Sequence, residues 1–500
     1  MHHHRPHISD HKPGNKSRIA GLCAPMFIVM VVAWLWLPVA AADEEGEPLP
    51  ELGDSATRVL SPAQEKRIGR QFLRQLIRNK HYVDDPELDA YLNRLGARIS
   101  KNASLRDTSI TAHLLQNPEL NAFAVPGGHI TFHTGLILAA EDESELASVM
   151  SHEIAHISQR HLPRMLAKAE ASRFPAAAAI LASVLVGGQA GLAGFTVANA
   201  ALLSNQLAYT RDFEREADSI GIKLLVESGF DPGAMARFFN KIDRHGGLGD
   251  EAPEFLRTHP LSYTRIAEAE NRAGAYPEKT WPPSRTFLLA KAKIRALYSP
   301  QDRNTLAYFQ DRAAQSSGEA ENAAIYGIAL AQKKLRQTDQ ARTTLQPLLD
   351  AYPDDVALQL ARAEIDMAAG DPASAAARYE KLTEAHPQSV YLVHYRARAM
   401  LAAGEAAGAK RIIRHQLRRH KERFALYPLL SESNAKLGLL SEAHQATAEF
   451  HAALGEYQAA VDSLKQALRE NDSEEGYLHQ SITARLQEFQ EKLGQLQPQR

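Results

Sequence analysis

The chain is 500 residues long, more than one hydrophobic core accommodates, so two or three domains are expected. Its 44% hydrophobic and 23% charged residues are ordinary globular proportions. The formal net charge of -2, with no long basic run, gives no electrostatic footing for a nucleic-acid partner.

A His-rich, basic lead ending in Lys16 and Arg18 precedes the apolar run Met26 to Leu37. That run has the length of a signal-peptide core, Pro38 breaks it, and Ala40-Ala41-Ala42 offers a small-x-small cleavage site. Residues 1–42 therefore read as a secretory leader. An uncleaved anchor is the alternative, because a count from Ile19 is long enough to span a bilayer. The single cysteine, Cys23, lies before the apolar core with Leu22 ahead of it, which does not suit lipidation. The mature chain would hold no thiol, as suits an oxidising compartment such as a periplasm.

Residues 43–60 are acidic and carry Pro and Gly, and read as a linker. Ser61-Pro62 then signals a helix start, and helical pattern runs through "AQEKRIGRQFLRQLIRN" and "DPELDAYLNRLGARIS". Residues 109–137 turn to β-branched and aromatic side chains around Pro126-Gly127-Gly128, predicting a small antiparallel hairpin or sheet.

From Glu143 the helical pattern returns with His152-Glu153-Ile154-Ala155-His156. On a helix the two imidazoles, four apart, share a face and reach one cation, while Glu153 stands where it can take a proton from water. Leu146, Val149, Met150, Ile154 and Ile157 are spaced to bury the rest. Alone, the five-residue pattern is equally compatible with a solvated helix face; a third ligand decides. The metzincin spacing fails, since Gln159 and Leu162 stand where Gly and His are needed, and His161 is expected near the surface. "TRDFEREADSIGIKLL" supplies a carboxylate instead: Glu214 and Asp218 share a face, and Glu216 points elsewhere. Glu214 would bind the metal, with Asp218 orienting a ligand or supplying a proton.

Residues 174–210 contain no charged side chain. They read as packed helices or a membrane-touching lid, with a transmembrane hairpin around Gly187 and Gly191 as the alternative. Beyond about residue 319, Ala341, Ala375, Ala409 and Ala443 recur every 34 residues. So do Gly370, Gly404 and Gly438, and so do Ala329, Ala363 and Ala397, with Ser431 completing that series. Pro353 and Pro387 mark unit ends at the same interval, and Arg336 occupies the first unit's expected Gly position. This pattern resembles tetratricopeptide repeats, an α-solenoid whose concave face holds a polypeptide or partner.

"SHEIAH" and "EREADSIG", with "NPELNAFAVPGGHITFHTGLI" and "RTHPLSYTRIAEAE", resemble the family of HExxH metallopeptidases that includes the CAAX prenyl proteases and HtpX. Its soluble members with a signal peptide and C-terminal tetratricopeptide repeats are the nearest in organisation. The resemblance implies one zinc ion per chain on His152, His156 and Glu214, with Glu153 as general base and Asp218 as candidate proton donor. It further implies that Asn121, Ala122, Phe123 and Ala124 form an edge strand aligning an extended substrate. His259 would cap the zinc from a loop at 246–260, flanked by Gly246, Gly247 and Gly249, and so hold the enzyme off.

The expected fold is mainly α: a helical zincin-type peptidase domain with a small β-sheet at 61–275, a connecting helical segment at 276–318, and a repeat solenoid at 319–500. The implied function is a periplasmic endopeptidase of a Gram-negative bacterium, soluble or peripherally membrane-associated through 174–210. It would promote assembly of outer-membrane β-barrel proteins and degrade misassembled ones, with stalled barrels and their assembly machinery as partners. A non-proteolytic chaperone or scaffold with a structural zinc site is the main rival, and an integral-membrane protease using 174–210 is the second.

Overall fold

The computed structural model describes residues 55–105, 108–171, 211–246, 254–277, 279–299, 304–419, 424–471 and 476–496. The predicted leader, the linker up to residue 54, the 174–210 stretch and residues 247–253 of the glycine-flanked loop lie outside them. The architecture is mainly helical with one small sheet. Among the described residues, no helix is long and apolar enough to cross a membrane.

Short helix α1 (Ser55–Val59) leads into α2 (Pro62–Arg78), whose start is fixed by a reciprocal cap. Ser61 Oγ accepts from the Gln64 amide at 3.3 Å, and Gln64 Oε1 accepts from the Ser61 amide at 2.8 Å. In α3 (Pro86–Ser100) the N-cap is Asp85, which accepts from the Glu87 and Leu88 amides.

Strands β1 (Thr111–Leu115), β2 (Ala122–Val125) and β3 (His129–His133) follow. The expected antiparallel pair is β2–β3, with Ala122 opposite Phe132 and Val125 opposite His129. The sheet order is β1-β3-β2, and β1 adds to β3 in parallel, a pairing that local alternation does not specify. Gly127 and Gly128 make the turn at φ of 90° and 87°; a Cβ on Gly128 would come within 2.2 Å of the Ser109 carbonyl oxygen.

Helices α4 (Thr134–Ala139), α5 (Glu143–Ser158), α6 (His161–Ala171), α7 (Arg211–Glu227), α8 (Ala234–Gly246), α9 (Glu254–Thr258) and α10 (Tyr263–Ala273) complete this half. Leu92 of α3, Phe132 of β3, Met150 and Ile154 of α5, Leu225 of α7 and Phe238 of α8 meet in one buried core. Each such side chain contributes about 1.5–3 kcal/mol by leaving water.

Helix α11 (Arg285–Tyr298) belongs to two cores at once. Its Phe287, Ala290 and Ile294 pack into the core just described, while Leu289, Ala292 and Ala296 pack into that of the helices that follow. Its Lys293 is buried; Nζ lies 2.7 Å from Asp85 Oδ2 and 2.7 Å from Glu87 Oε2. Tyr298 and, from the repeats, Tyr395 donate to the same Asp85 carboxylate at 3.0 and 3.2 Å.

After α12 (Thr305–Gln315) come the helix pairs α13 (Glu319–Lys334) and α14 (Thr338–Ala351), then α15 (Val356–Ala368) and α16 (Pro372–Ala385). They continue as α17 (Val390–Ala402) and α18 (Ala406–Arg419), then α19 (Tyr427–Lys436) and α20 (Leu440–Ala453), ending with α21 (Tyr457–Arg469) and α22 (Tyr477–Leu496). The 34-residue series has a simple basis. Ala341, Ala375 and Ala409 are fully buried where the helices cross, as are Ala329, Ala363 and Ala397. Gly370, Gly404 and Gly438 end the first helix of their pairs at φ of 81°, 86° and 74°. Arg336, at the first unit's equivalent position, is left-handed too, at φ 61°. The far repeats also touch α2, where Arg74 donates to the Gly455 carbonyl at 2.9 Å.

Candidate metal centre

Helix α5 is capped by Asp142, which accepts from the Glu145 amide at 2.9 Å, and is buried on all sides from Ser144 to His156. Its buried Glu145 is matched by Lys241 of α8, with Nζ 2.6 Å from Oε2. Helix α7 packs directly on α5 because Gly221 carries no side chain. A Cβ there would lie 3.3 Å from the His152 amide nitrogen. That approach carries Glu214, about two turns earlier, to the two histidines.

His152, His156, Glu214 and His259 are all buried and present four donor atoms within 4.8 Å of one another. Nε2 of His152 lies 3.0 Å from Nε2 of His156 and 3.5 Å from Glu214 Oε2. Glu214 Oε1 lies 3.5 Å from His156 Nε2 and 3.2 Å from His259 Nδ1, and His259 Nδ1 is 3.3 Å from His152 Nε2. Ligands about 2.1 Å from a tetrahedral zinc are separated by about 3.4 Å, which is the spacing of this donor set.

Glu153 sits beside the cluster, fully buried, with both carboxylate oxygens lacking a hydrogen-bond partner. Its nearest ring nitrogen is His259 Nε2, 3.5 Å from Oε1. Burial raises its pKa above the ordinary carboxylate value, with His259 and His152 opposing. Glu214 and Asp218 both face the single guanidinium of Arg265, and a third carboxylate, Glu153, is buried beside them. That surplus of negative charge is what a divalent cation balances, so the residues fit a metal.

The ring protonation responds to the same field. Burial pushes His152 down, but hydrogen bonds to Asp218 and Glu214 carry it up to about 9. His156 is held well below its ordinary value by burial and by the neighbouring His152. Burial would raise Glu214, yet His259, His152 and His156 hold it well below the usual range.

Asp218 lies behind His152, with Oδ1 3.1 Å from Nδ1. Arg265 of α10 grips it with two bonds, Nε to Oδ2 at 2.7 Å and Nη2 to Oδ1 at 2.8 Å. Burial opposes ionisation of Asp218, but these bonds and the one to His152 leave its pKa lowered. Of the two roles open to it, this geometry offers the orienting one. Glu216 stays outside the donor cluster as expected, lying 3.1 Å from Arg164 and 3.3 Å from Nε2 of His161.

Two residues were not picked out correctly from the sequence. His161 is fully buried instead of near the surface: its ring stacks on Phe213, and Nδ1 lies 2.8 Å from His156 Nδ1. It backs the second histidine as Asp218 backs the first. The chain reverses between α5 and α6 through Arg160, left-handed at φ 52°, so helical spacing could not place it. Arg265 was overlooked. Its signal was Ser262, whose side chain caps α10 by accepting from the Arg265 amide and so places that arginine in the first turn.

Ala122, Phe123 and Ala124, expected to align a substrate, lie on β2, at the edge of the sheet and against α5; Asn121 immediately precedes it. His259 follows α9 and closes the fourth side of the donor cluster.

The model of peptidase family M48 matches residues 86–273, and a tetratricopeptide-repeat model matches residues 323–355 and 355–389. The chain is 37% identical over 341 residues to the beta-barrel assembly-enhancing protease of Escherichia coli, spanning 68% of this chain and 69% of that one. It is 36% identical to the putative beta-barrel assembly-enhancing protease of Vibrio cholerae, over 66% of this chain and 68% of that one. The mitochondrial metalloendopeptidase OMA1 of Schizosaccharomyces pombe is 30% identical over 39% of this chain and 59% of its own.

Proposed function

Since the chain belongs to peptidase family M48, and is by that membership a metalloendopeptidase, we propose that it is a zinc-dependent enzyme of the periplasm acting on outer-membrane β-barrel proteins. The observation that carries the reading is the convergence of His152, His156 and Glu214, with Glu153 fully buried beside them. A zinc ion on those three residues supplies Lewis acidity to the scissile carbonyl and the attacking water.

The chain's own residues do the rest. Glu153 takes the water's proton and delivers it to the leaving amine, a task suited to a carboxyl whose burial raises its pKa. Asp218, held by Arg265, accepts from His152 Nδ1 and fixes which ring nitrogen faces the metal. Strand β2 receives the substrate as an added strand, binding its backbone whatever its side chains. His259 stands where a fourth ligand would fill the water's position, which would hold the enzyme off until α9 moves.

The relatives' names and the repeats support the client class: the repeats would dock a β-barrel protein or its assembly machinery, and the peptidase would degrade chains that stall. The apolar run Met26 to Leu37 and the small residues after it support export, and 174–210 is the segment available for peripheral membrane contact. The closed four-donor shell also suits a structural zinc, which keeps the non-proteolytic scaffold as a second reading.

Glu153→Gln separates the two. Retained zinc with casein cleavage lost supports the enzyme. A zinc-loaded, folded variant that cuts casein at the unmutated rate, or a zinc-loaded protein that cuts it neither unmutated nor as His259→Ala, supports the scaffold.

A further inference from the structure

A second cluster of donors lies at the base of α9. Glu119, His133 and Glu254 each offer a ligand atom within 4.8 Å of the others. His133 is 4% exposed, and its Nδ1 is buried with no hydrogen-bond partner. Asn121, which lends its amide to Glu254, is 1% exposed and leaves its side-chain oxygen buried and unpartnered as well. A structure that leaves two such atoms unmatched beside two carboxylates has room for one more charge.

The three positions are held firmly. His133 ends β3, and its amide donates to the Asn121 carbonyl at 3.0 Å. Glu119 rides on a loop pinned by the Gly135 amide donating to the Asn117 carbonyl, and by Asn117 Oδ1 accepting from the Glu119 amide. Glu254 is the first residue of α9, whose next amide, Phe255, donates to the Leu120 carbonyl at 3.2 Å. The cluster therefore joins the end of β3, the loop entering β2, and the helix that carries His259.

We infer that Glu119, His133 and Glu254 form a second divalent-metal site, and that a cation there fastens α9 with His259 over the first metal. One imidazole and two carboxylates, with open positions for water, are a donor set for zinc or manganese. Burial holds His133 down at about 4, so its ring is neutral at physiological pH, as a ligand must be. Burial and a hydrogen bond to the neighbouring Glu119 carry Glu254 up to about 7, so a cation entering there displaces a proton that the two carboxylates share. The site stands on its own geometry; its effect on cleavage rests on the peptidase reading above.

The test is zinc stoichiometry by equilibrium dialysis of the stripped full-length protein, comparing the unmutated chain with Glu119→Gln/Glu254→Gln. Glu119 is exposed and Glu254 half-buried, so the variant should fold, and a thermal melt verifies it. Two equivalents falling to one establish the second site. One falling to none also establishes it, and removes zinc from the first centre, sinking the peptidase reading instead. An unchanged count, whether two, one or zero, overturns the proposal. Where two equivalents bind, the second should slow casein cleavage several-fold in the unmutated chain and leave the variant unaffected; equal slowing of both rejects the fastening role.

Discussion

Nδ1 of His152 faces Asp218 Oδ1 at 3.1 Å while Nε2 of the same ring faces His156, 3.0 Å away. One nitrogen is thus committed to a carboxylate and the other to the donor cluster. Asp218→Asn keeps the shape and removes the charge that favours this arrangement. It should weaken zinc binding about 10–100-fold. Competition with a chelator measures it, and added zinc should restore much of the lost cleavage; a residue acting as proton donor would show no such rescue.

His259→Ala opens the fourth side of the cluster while His152, His156 and Glu214 remain. Cleavage of unfolded casein should rise several-fold, with one zinc retained at the first centre. Equal or lower activity in a folded, zinc-loaded variant would count against the off state.

Lys293→Met would leave Asp85 buried without its cation. Removing one partner of such a pair costs about 3–5 kcal/mol, seen as a lower denaturant midpoint. Burial would raise Asp85, but Lys293 outweighs it and the folded-state value is lowered. Its contribution is therefore complete above the unfolded value of about 4 and is lost as pH falls through the lower folded one. The stability gap between variant and unmutated chain should narrow on acidification through that window.

Gly404→Ala tests the repeat turns. No atom lies within 4 Å of a Cβ placed there, so φ of 86° is the only obstacle. The change should cost about 1 kcal/mol. Arg336→Gly, at the matching turn with φ 61°, should be neutral or slightly stabilising by the same unfolding measurement.

Much of this was legible because it follows from local spacing. Ser61, Asp85 and Asp142 announce helix starts through their caps, and the alanine series announces tight helix crossings. His152 with His156, and Glu214 with Asp218, share faces by helical period alone. What the period cannot carry is the relation between segments. The parallel pairing of β1 with β3, the burial of His161 after a left-handed Arg160, and the grip of Arg265 on Asp218 all depend on how distant segments meet. The same limit hid Glu119, His133 and Glu254, which are scattered over more than a hundred residues and carry no motif.

Helix α11 presents Phe287, Ala290 and Ile294 to one half of the molecule and Leu289, Ala292 and Ala296 to the other. Two apolar stripes offset by two residues make it a shared spine. Trimming the chain on either side of it strips one stripe bare, so neither half is a detachable module. Because α11 also lies against α4, directly after His133, any load that the solenoid came to bear would reach the framework of the other half through a rigid rod, with no slack tether between them.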